Sequence, residues 1–476
     1  MTGLAVRRPA AHRRAVVGNY TGTVILRTYD ATAVELTWAQ FRARQEFGQG
    51  NSGDNDALLD PTTLRIIAGT PLFSSGGKPA LTLTGVPASL ALAWPTSDGF
   101  SNLIIDLPSS AGTYNFTLLA ATQVLTDLMW AMARRPWYTP SVAQKAAATS
   151  AQSLLDQANA AALDAQKGGY AAQALDQGVH ATVLLLTESG QQNHAVTSTA
   201  QWGITIDDIA NGSAQLDTVQ SLYGTQGWVR IVFDKSQAPS YYNTEVNDAH
   251  SRGLKVLGQF LDSTDMASTA LDAFKTRVQN YVSGLPTVDS WEVGNEINGD
   301  WLGTNTVQKI LYAAQYVKAN TTARTMLTLF WQLGEGTATN SMFNWVSANL
   351  STVTPYLDDV SVSLYPGWDP MGVSFDRVMW TLHAALPSQK LLIGELGFGV
   401  VGSDTEGVWW WGTSGDTSPT GAAAVSVAKF YQSACMGFPF SGGGTYYWYY
   451  DELVATASPT TSPIYNALKS VKTLSV

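Results

Sequence analysis

The sequence predicts an α/β protein: a (β/α)8 TIM barrel in the C-terminal part of the chain, preceded by a β-rich, sandwich-like region and a helical one. Three observations carry this expectation. Eight short apolar runs recur from about residue 200, their starts 26 to 54 positions apart, and each leaves enough chain for a helix before the next. Before residue 112 the apolar runs are shorter, β-rich and separated by Gly, Pro and Ser. Between these regions the apolar spacing changes to a helical period.

Composition bounds the class. A chain of 476 residues exceeds one ordinary domain, although an α/β barrel alone takes about 250 residues. Apolar residues make up 45% and charged residues 13%, and no apolar run reaches the roughly 18 residues that would cross a membrane, so no membrane partner is expected. A net charge of −10 leaves no basic surface for a phosphate backbone, which argues against nucleic acid. Cys435 is the only cysteine, so no intramolecular disulfide forms, and the five histidines lack metal-ligand spacing. Neither metal nor cofactor is expected, and the chain reads as a monomer.

In chain order, residues 1–17 read as a disordered basic arm holding Arg7, Arg8, Arg13 and Arg14, with no signal-peptide core after it. Residues 18–112 form the β-rich region, with strands expected at 23–29, 64–68, 81–84, 91–94 and 103–106, and alternation also at 33–37. Residues 113–195 are helical. The spacing predicts one helix over 116–134, a second over 142–166 capped by Ser141 and closed by Gly168-Gly169, and a third from Tyr170 towards Thr187. Residues 196–476 hold the barrel, with strands at 202–206, 228–233, 254–261, 290–294, 327–331, 360–364, 391–394 and 445–449. The stretch 399–419, with Trp409-Trp410-Trp411 among Gly, Ser and Thr, is longer than a connection requires and is a candidate for function.

Two carboxylates stand where chemistry collects in such a barrel, at the C-terminal ends of strands. Glu296 follows the fourth barrel strand in Gly294-Asn295-Glu296, and Glu395 ends the seventh in Gly394-Glu395. Arg230 sits inside the apolar second strand, where a charge requires a carboxylate partner. Tyr365 ends the sixth strand in Ser363-Leu364-Tyr365-Pro366, and Trp448 ends the eighth. Glu292 lies within strand four and lines the interior if the strand stays regular. Asp234 and Glu335 follow other strand ends as weaker candidates.

These motifs resemble the superfamily of retaining (β/α)8 glycoside hydrolases, clan A in type, in which the acid/base follows an Asn on strand four and the nucleophile ends strand seven. The Gly-Asn-Glu triplet without a following Pro and the Tyr-Pro pair after strand six are closest to β-1,4-galactanases and β-1,3-glucanases. Ile297 replaces the Pro of many cellulases and mannanases, no His precedes Tyr365, and the N-terminal 190 residues match none of these families.

The resemblance implies a retaining, endo-acting β-glycanase with a poly- or oligosaccharide substrate and a secreted or extracellular location. Glu296 would be acid/base and Glu395 nucleophile, Arg230 would hold the nucleophile ionised, and Asn295 would contact the sugar 2-hydroxyl. Tyr365 would donate to Glu395, and Trp448 would floor the reacting sugar. Trp301, Trp331 and Trp368 would extend the cleft, since apolar sugar faces stack on aromatic rings. A transglycosylase using the same covalent intermediate and a non-catalytic carbohydrate-binding protein are the alternatives.

Overall fold

The structure is a computed structural model that describes residues 20–45, 56–193, 200–206, 212–332, 338–367, 369–398, 421–448 and 461–474. The expected basic arm, Glu335, Trp368 and the Trp409 to Trp411 stretch lie outside the described residues.

Eight strands build the N-terminal region: β1 (Thr21–Arg27), β2 (Asp56–Leu59), β3 (Ile66–Gly69), β4 (Phe73–Ser75), β5 (Lys78–Thr84), β6 (Ser89–Thr96), β7 (Gly99–Asp106) and β8 (Gly112–Asn115). They form two four-stranded sheets, ordered β4-β5-β1-β8 and β3-β2-β6-β7. Pairing is antiparallel apart from β1 with β8. Helix α1 (Trp38–Gln45) contributes Phe41, whose ring meets Trp94 of β6 and Phe116 at 5.5 and 5.7 Å between centroids. The alternation at 33–37 does not make a strand. Asp30 Oδ1 accepts from the backbone N–H groups of Thr32 and Val34, and Ala33 takes a φ of +69°, so the segment turns and keeps only a bridge between Tyr29 and Glu35.

Three helices follow: α2 (Phe116–Ala133), α3 (Val142–Ala160) and α4 (Asp164–Gln192). Asn115 and Ser141 cap the first two by accepting from Leu118 N and Gln144 N. Helix α2 is long and apolar enough to cross a membrane by length and composition, but it buries one face, including Ala121, Val124, Leu125 and Leu128, and packs on α4. The expected stop at Gly168-Gly169 is wrong. Both glycines lie inside α4, because a side chain at Gly168 would stand 2.2 Å from the Tyr29 ring and one at Gly169 2.9 Å from Ala33 Cβ. Close approach of the helix to the turn after β1, and not a helix end, is what these glycines serve.

The barrel closes through β9 (Gln201–Ile206), β10 (Trp228–Val232), β11 (Lys255–Gln259), β12 (Ser290–Gly294), β13 (Arg324–Phe330), β14 (Asp359–Leu364), β15 (Lys390–Leu396) and β16 (Ser441–Tyr447), all paired in parallel. Helices α5 (Gly212–Tyr223), α6 (Asn243–Ser251), α7 (Ser263–Met266), α8 (Leu271–Gly284), α9 (Thr306–Asn320), α10 (Met342–Asn349), α11 (Phe375–Ala385), α12 (Ala422–Met436) and α13 (Pro463–Leu474) occupy the connections. Strand β16 starts four residues before the expected position. Its Gly442-Gly443-Gly444 run looks like a loop, yet Gly443 passes so close to β9 that a side chain there would lie 2.3 Å from the Gln201 backbone. At the N-terminal end of the barrel buried Asp359 binds Arg324 at 2.6 and 2.9 Å and accepts from Gln201 Nε2, so its charge is matched there.

The N-terminal sheets are bound to the barrel connections. Arg377 of α11 donates to the carbonyls of Pro61 and Ile104 and to Asp106, while Asp376 pairs with buried Arg135 at 2.6 Å. Asn344 of α10 accepts from Ile66 N at 2.7 Å. These bonds meet α10 and α11, the helices that follow the fifth and sixth barrel strands.

The same close approach predicts a stability effect. A side chain at Gly190 of α4 would stand 1.7 Å from the Ser433 carbonyl of α12. Gly190→Ala is expected to cost about 1–3 kcal/mol or more by overpacking. Gly69→Ala, with open space around the new methyl, should stay within about 0.5 kcal/mol. Thermal unfolding of the two variants compares them directly.

Candidate active site

The site starts from one buried cation. Arg230, in the middle of β10 and 0% exposed, extends its guanidinium into the barrel interior. Its Nε and Nη2 donate to the two oxygens of Glu292 on β12 at 2.6 and 3.1 Å, and Nη2 also donates to Glu395 on β15 at 2.6 Å. Nη1 reaches Thr205 Oγ1 at 3.4 Å, and the Trp448 ring centroid stands 5.1 Å from Cζ. Burial acts to lower the pKa of the guanidinium, but the charges of Glu292 and Glu395 raise it above its ordinary value, so it stays a cation.

Backbone irregularities place the carboxylates. Val362 of β14 pairs with Ile393 and the next residue, Ser363, pairs with Glu395, so Gly394 is an extra residue in β15. A side chain at 394 would meet Ser361 Oγ at 2.3 Å and Thr328 Oγ1 at 3.1 Å, so only glycine fits beside Glu395. On β12 the register shifts between Glu292 and Gly294, and two residues later Glu296 takes a left-handed φ of +47°. Such a backbone at a non-glycine residue stores strain and re-aims the side chain, a pattern concentrated at functional sites. The regular alternation expected from Glu292 to Glu296 therefore fails, although Glu292 does line the interior.

Glu395 is surrounded by donors. Its Oε1 accepts from Arg230 and from Asn295 Nδ2 at 2.7 Å; its Oε2 accepts from Ser363 Oγ and Tyr365 Oη, each at 2.8 Å. Four donors and no acceptor suit a carboxylate and not a carboxylic acid. Burial, then the Glu395 charge, hold the Tyr365 phenol well above its ordinary pKa, so it remains a donor. Glu292 is also enclosed, accepting from Thr328 Oγ1 at 2.5 Å besides Arg230. Burial raises its pKa while Arg230 opposes the rise.

Glu296 has the opposite surroundings. It is partly accessible, no cation contacts it among the described residues, and its hydrogen-bond partners are the Ser363 and Ser263 hydroxyls at 2.6 and 3.2 Å. Burial and then the charge of Glu395 push its pKa up to about 8. At neutral pH it carries a proton. Ser363 touches both carboxylates, so the nearest oxygens of Glu296 and Glu395 are no further apart than the sum of its two contacts, 2.6 and 2.8 Å, or about 5.4 Å.

The structure thus brings Arg230, Asn295, Glu296, Tyr365, Glu395 and Trp448 into one cluster. Asn295 is 1% exposed, and its amide is engaged by Glu395 on one side and by Ser263 N on the other. Trp331 is elsewhere: 3% exposed, it lines a closed crevice with Leu59, Leu64 and Ile66 of the N-terminal region and packs there. Trp301 is 38% exposed on a turn beside Phe330 and remains open to a ligand. Asp234 caps its own turn through Ser236 N at 2.6 Å. Ser363, Ser263 and Thr328 were not anticipated from the sequence. For Ser363 the signal was two-residue alternation back from Tyr365; for the others no local pattern exists.

No protein-family model and no curated protein matches the chain. Among solved structures, the chain is similar to a fungal β-1,4-galactanase at 12% identity and a TM-score of 0.40, covering 57% of this chain and 98% of that one. A GH113 β-mannanase from Alicyclobacillus acidocaldarius aligns at 12% identity and 0.38, covering 59% and 99%. A family 1 β-glucosidase from Thermotoga maritima aligns at 9% and 0.38, covering 53% and 88%. At such distances the chemistry has to be read from the site itself.

Removing the cation is expected to destabilise the fold in a pH-dependent way. Arg230→Met leaves Glu292 and Glu395 buried without a counter-charge, a loss of about 3–5 kcal/mol for a broken buried pair. In that variant Arg230 no longer opposes the burial that holds the Glu292 pKa above its unfolded value. The variant's stability is then retained below the unfolded carboxylate range and lost as pH rises through the folded value. Denaturant unfolding at pH 5 and pH 8 should show the larger deficit at pH 8.

Proposed function

We propose that the chain is a retaining glycoside hydrolase that cleaves a β-linked polysaccharide, from within, by double displacement. The observation that carries this reading is a pair of carboxyls, with nearest oxygens no more than about 5.4 Å apart, in opposite electrostatic surroundings. Inverting enzymes separate the two groups by about 6.5–9.5 Å to admit a water between them. A sugar-cleaving pair also requires one carboxyl protonated and one ionised, which is what an uncompensated Glu296 and a four-donor Glu395 provide.

The first step follows from these positions. Glu395 attacks the anomeric carbon as Glu296 passes its proton to the departing glycosidic oxygen. Arg230, Asn295, Ser363 and Tyr365 keep Glu395 ionised and aimed without further reorganisation. Once Glu395 is esterified its charge is gone, and with it the largest cause after burial that raises the Glu296 pKa. Glu296 then favours the carboxylate form and can take a proton from water in the second step.

The site also bears on the substrate. Arg230 is already shared by two carboxylates, and no other cation contacts Glu296 or Glu395 among the described residues, which favours a neutral sugar over an acidic one. Trp301 offers an exposed ring near the fourth strand end.

Incubation with a 2-fluoro-glycoside inactivator followed by mass spectrometry should place one glycosyl adduct on Glu395; no adduct with gluco-, galacto- or manno-configured reagents would sink the reading. Glu395→Ala is expected to abolish turnover on every substrate. Glu296→Ala should lose about 10²–10⁴-fold on polysaccharide but far less on aryl glycosides with good leaving groups, which need little acid assistance. In wild type, kcat/KM should fall on the alkaline side as Glu296 loses its proton near pH 8. A panel of β-glucans, galactan, mannan and xylan with product sizes followed over time tests the polysaccharide and the internal attack together.

A further inference from the structure

Ser363 hydrogen-bonds both reacting carboxyls. It lies on β14, is 0% exposed, and its Oγ stands 2.6 Å from Glu296 Oε1 and 2.8 Å from Glu395 Oε2. A hydroxyl has a single hydrogen, so it cannot donate to two carboxylates at once. Both short contacts are satisfied when Glu296 is protonated: Glu296 donates to Ser363 Oγ, and Ser363 donates to Glu395. Ser263 fits the same arrangement, donating to the other Glu296 oxygen, Oε2. From these distances we infer that Ser363 is a positioning residue whose hydroxyl reverses direction during the cycle, following the negative charge from Glu395 to Glu296 and back. This rests on the retaining-hydrolase reading above.

The steps balance as follows. In the free enzyme the proton is on Glu296, the charge on Glu395, and the Ser363 hydrogen points to Glu395. In the first step the Glu296 proton moves to the leaving oxygen while a bond forms between Glu395 and the anomeric carbon. Glu395 is now a neutral ester and a weak acceptor, and Glu296 is a carboxylate, so the Ser363 hydrogen turns to Glu296 Oε1. In the second step Glu296 takes a proton from water, the water oxygen bonds to the anomeric carbon, and the ester bond breaks. The hydroxyl then returns to Glu395. Only an O–H rotation is required, which is fast compared with chemistry.

The hydroxyl has a consequence for titration. If Glu296 loses its proton the hydroxyl can donate to only one of the two carboxylates and the other short contact is left without a hydrogen, so the two-bond chain favours the protonated form of Glu296. The other groups facing the pair are Arg230 from β10, Glu292 from β12, Tyr365 just past β14 and Asp262, which precedes α7 and adds to the charge felt by Glu296. Changing Ser363 removes none of the four, so the Glu296 transition reports the part due to the hydroxyl.

The test is an isotope-edited infrared titration with label in the glutamate carboxyls, the bands assigned with Glu296→Gln and Glu395→Gln. In Ser363→Ala the Glu296 transition should move down by about one pH unit, the size of one charge-assisted hydrogen bond. Ser363→Thr, which keeps the hydroxyl, should retain the wild-type Glu296 transition, and Ser363→Cys, a weak donor, should fall between. The alkaline limb of the kcat/KM profile should move down likewise in Ser363→Ala, with a drop of about 10- to 100-fold at its maximum. An unchanged Glu296 transition in a folded Ser363→Ala protein, or in Ser363→Cys should the alanine variant not fold, overturns the inference. The titration needs no substrate, so it decides the role of Ser363 even if wild type forms no glycosyl adduct, the outcome that overturns the hydrolase reading instead.

Discussion

A single guanidinium shared by two buried carboxylates is the constraint around which the barrel mouth is arranged. Taking Arg230 out of water is unfavourable by several kcal/mol unless its charge is matched by close, well-aligned partners. Glu292 and Glu395 supply them, at contacts down to 2.6 Å. Two anions on one cation leave a surplus negative charge in a dry interior. A third carboxyl placed nearby therefore resists ionisation. Glu296 is that third group: its burial raises its pKa first, and the charge of Glu395 raises it further.

Regular strands could not deliver this geometry. Strand alternation sends successive side chains to opposite faces, whereas Gly394 and Glu395 are accommodated side by side through an extra residue in β15. The positive φ at Glu296 has the same effect on the other wall. Each departure is held by neighbours: Gly394 by the Ser361 and Thr328 side chains, and the loop after Glu296 by Asn298, whose amide bridges Phe330 and Asn340. The surrounding packing over-determines conformations that would otherwise relax.

The N-terminal region takes part in that restraint. Its sheets bond to α10 and α11 through Ile66, Ile104 and Asp106, next to the strands that carry Trp331, Ser363 and Tyr365. Trp331, which the sequence offers as a sugar platform, instead seals this contact.

The eight-strand rhythm, the ends of strands four and seven, and a charge inside strand two that needs a partner are all local or periodic features, so the sequence alone determined them. It also placed Glu296, Glu395, Arg230, Asn295 and Tyr365 at strand ends or within strands, because a barrel converts strand order into position around one mouth. What only the tertiary structure decided depends on contacts remote in sequence. Gly168 reads as a helix stop but admits Tyr29, 139 positions earlier; Gly443 lies ahead of the strand expected at 445–449 but admits β9; Trp331 reads as part of the cleft but lines a crevice with Leu64. The double contact of Ser363 belongs to this second kind. A serine on a buried strand has no distinguishing local pattern, and only closure of the barrel sets one hydroxyl between two carboxyls that lie 99 positions apart in the chain.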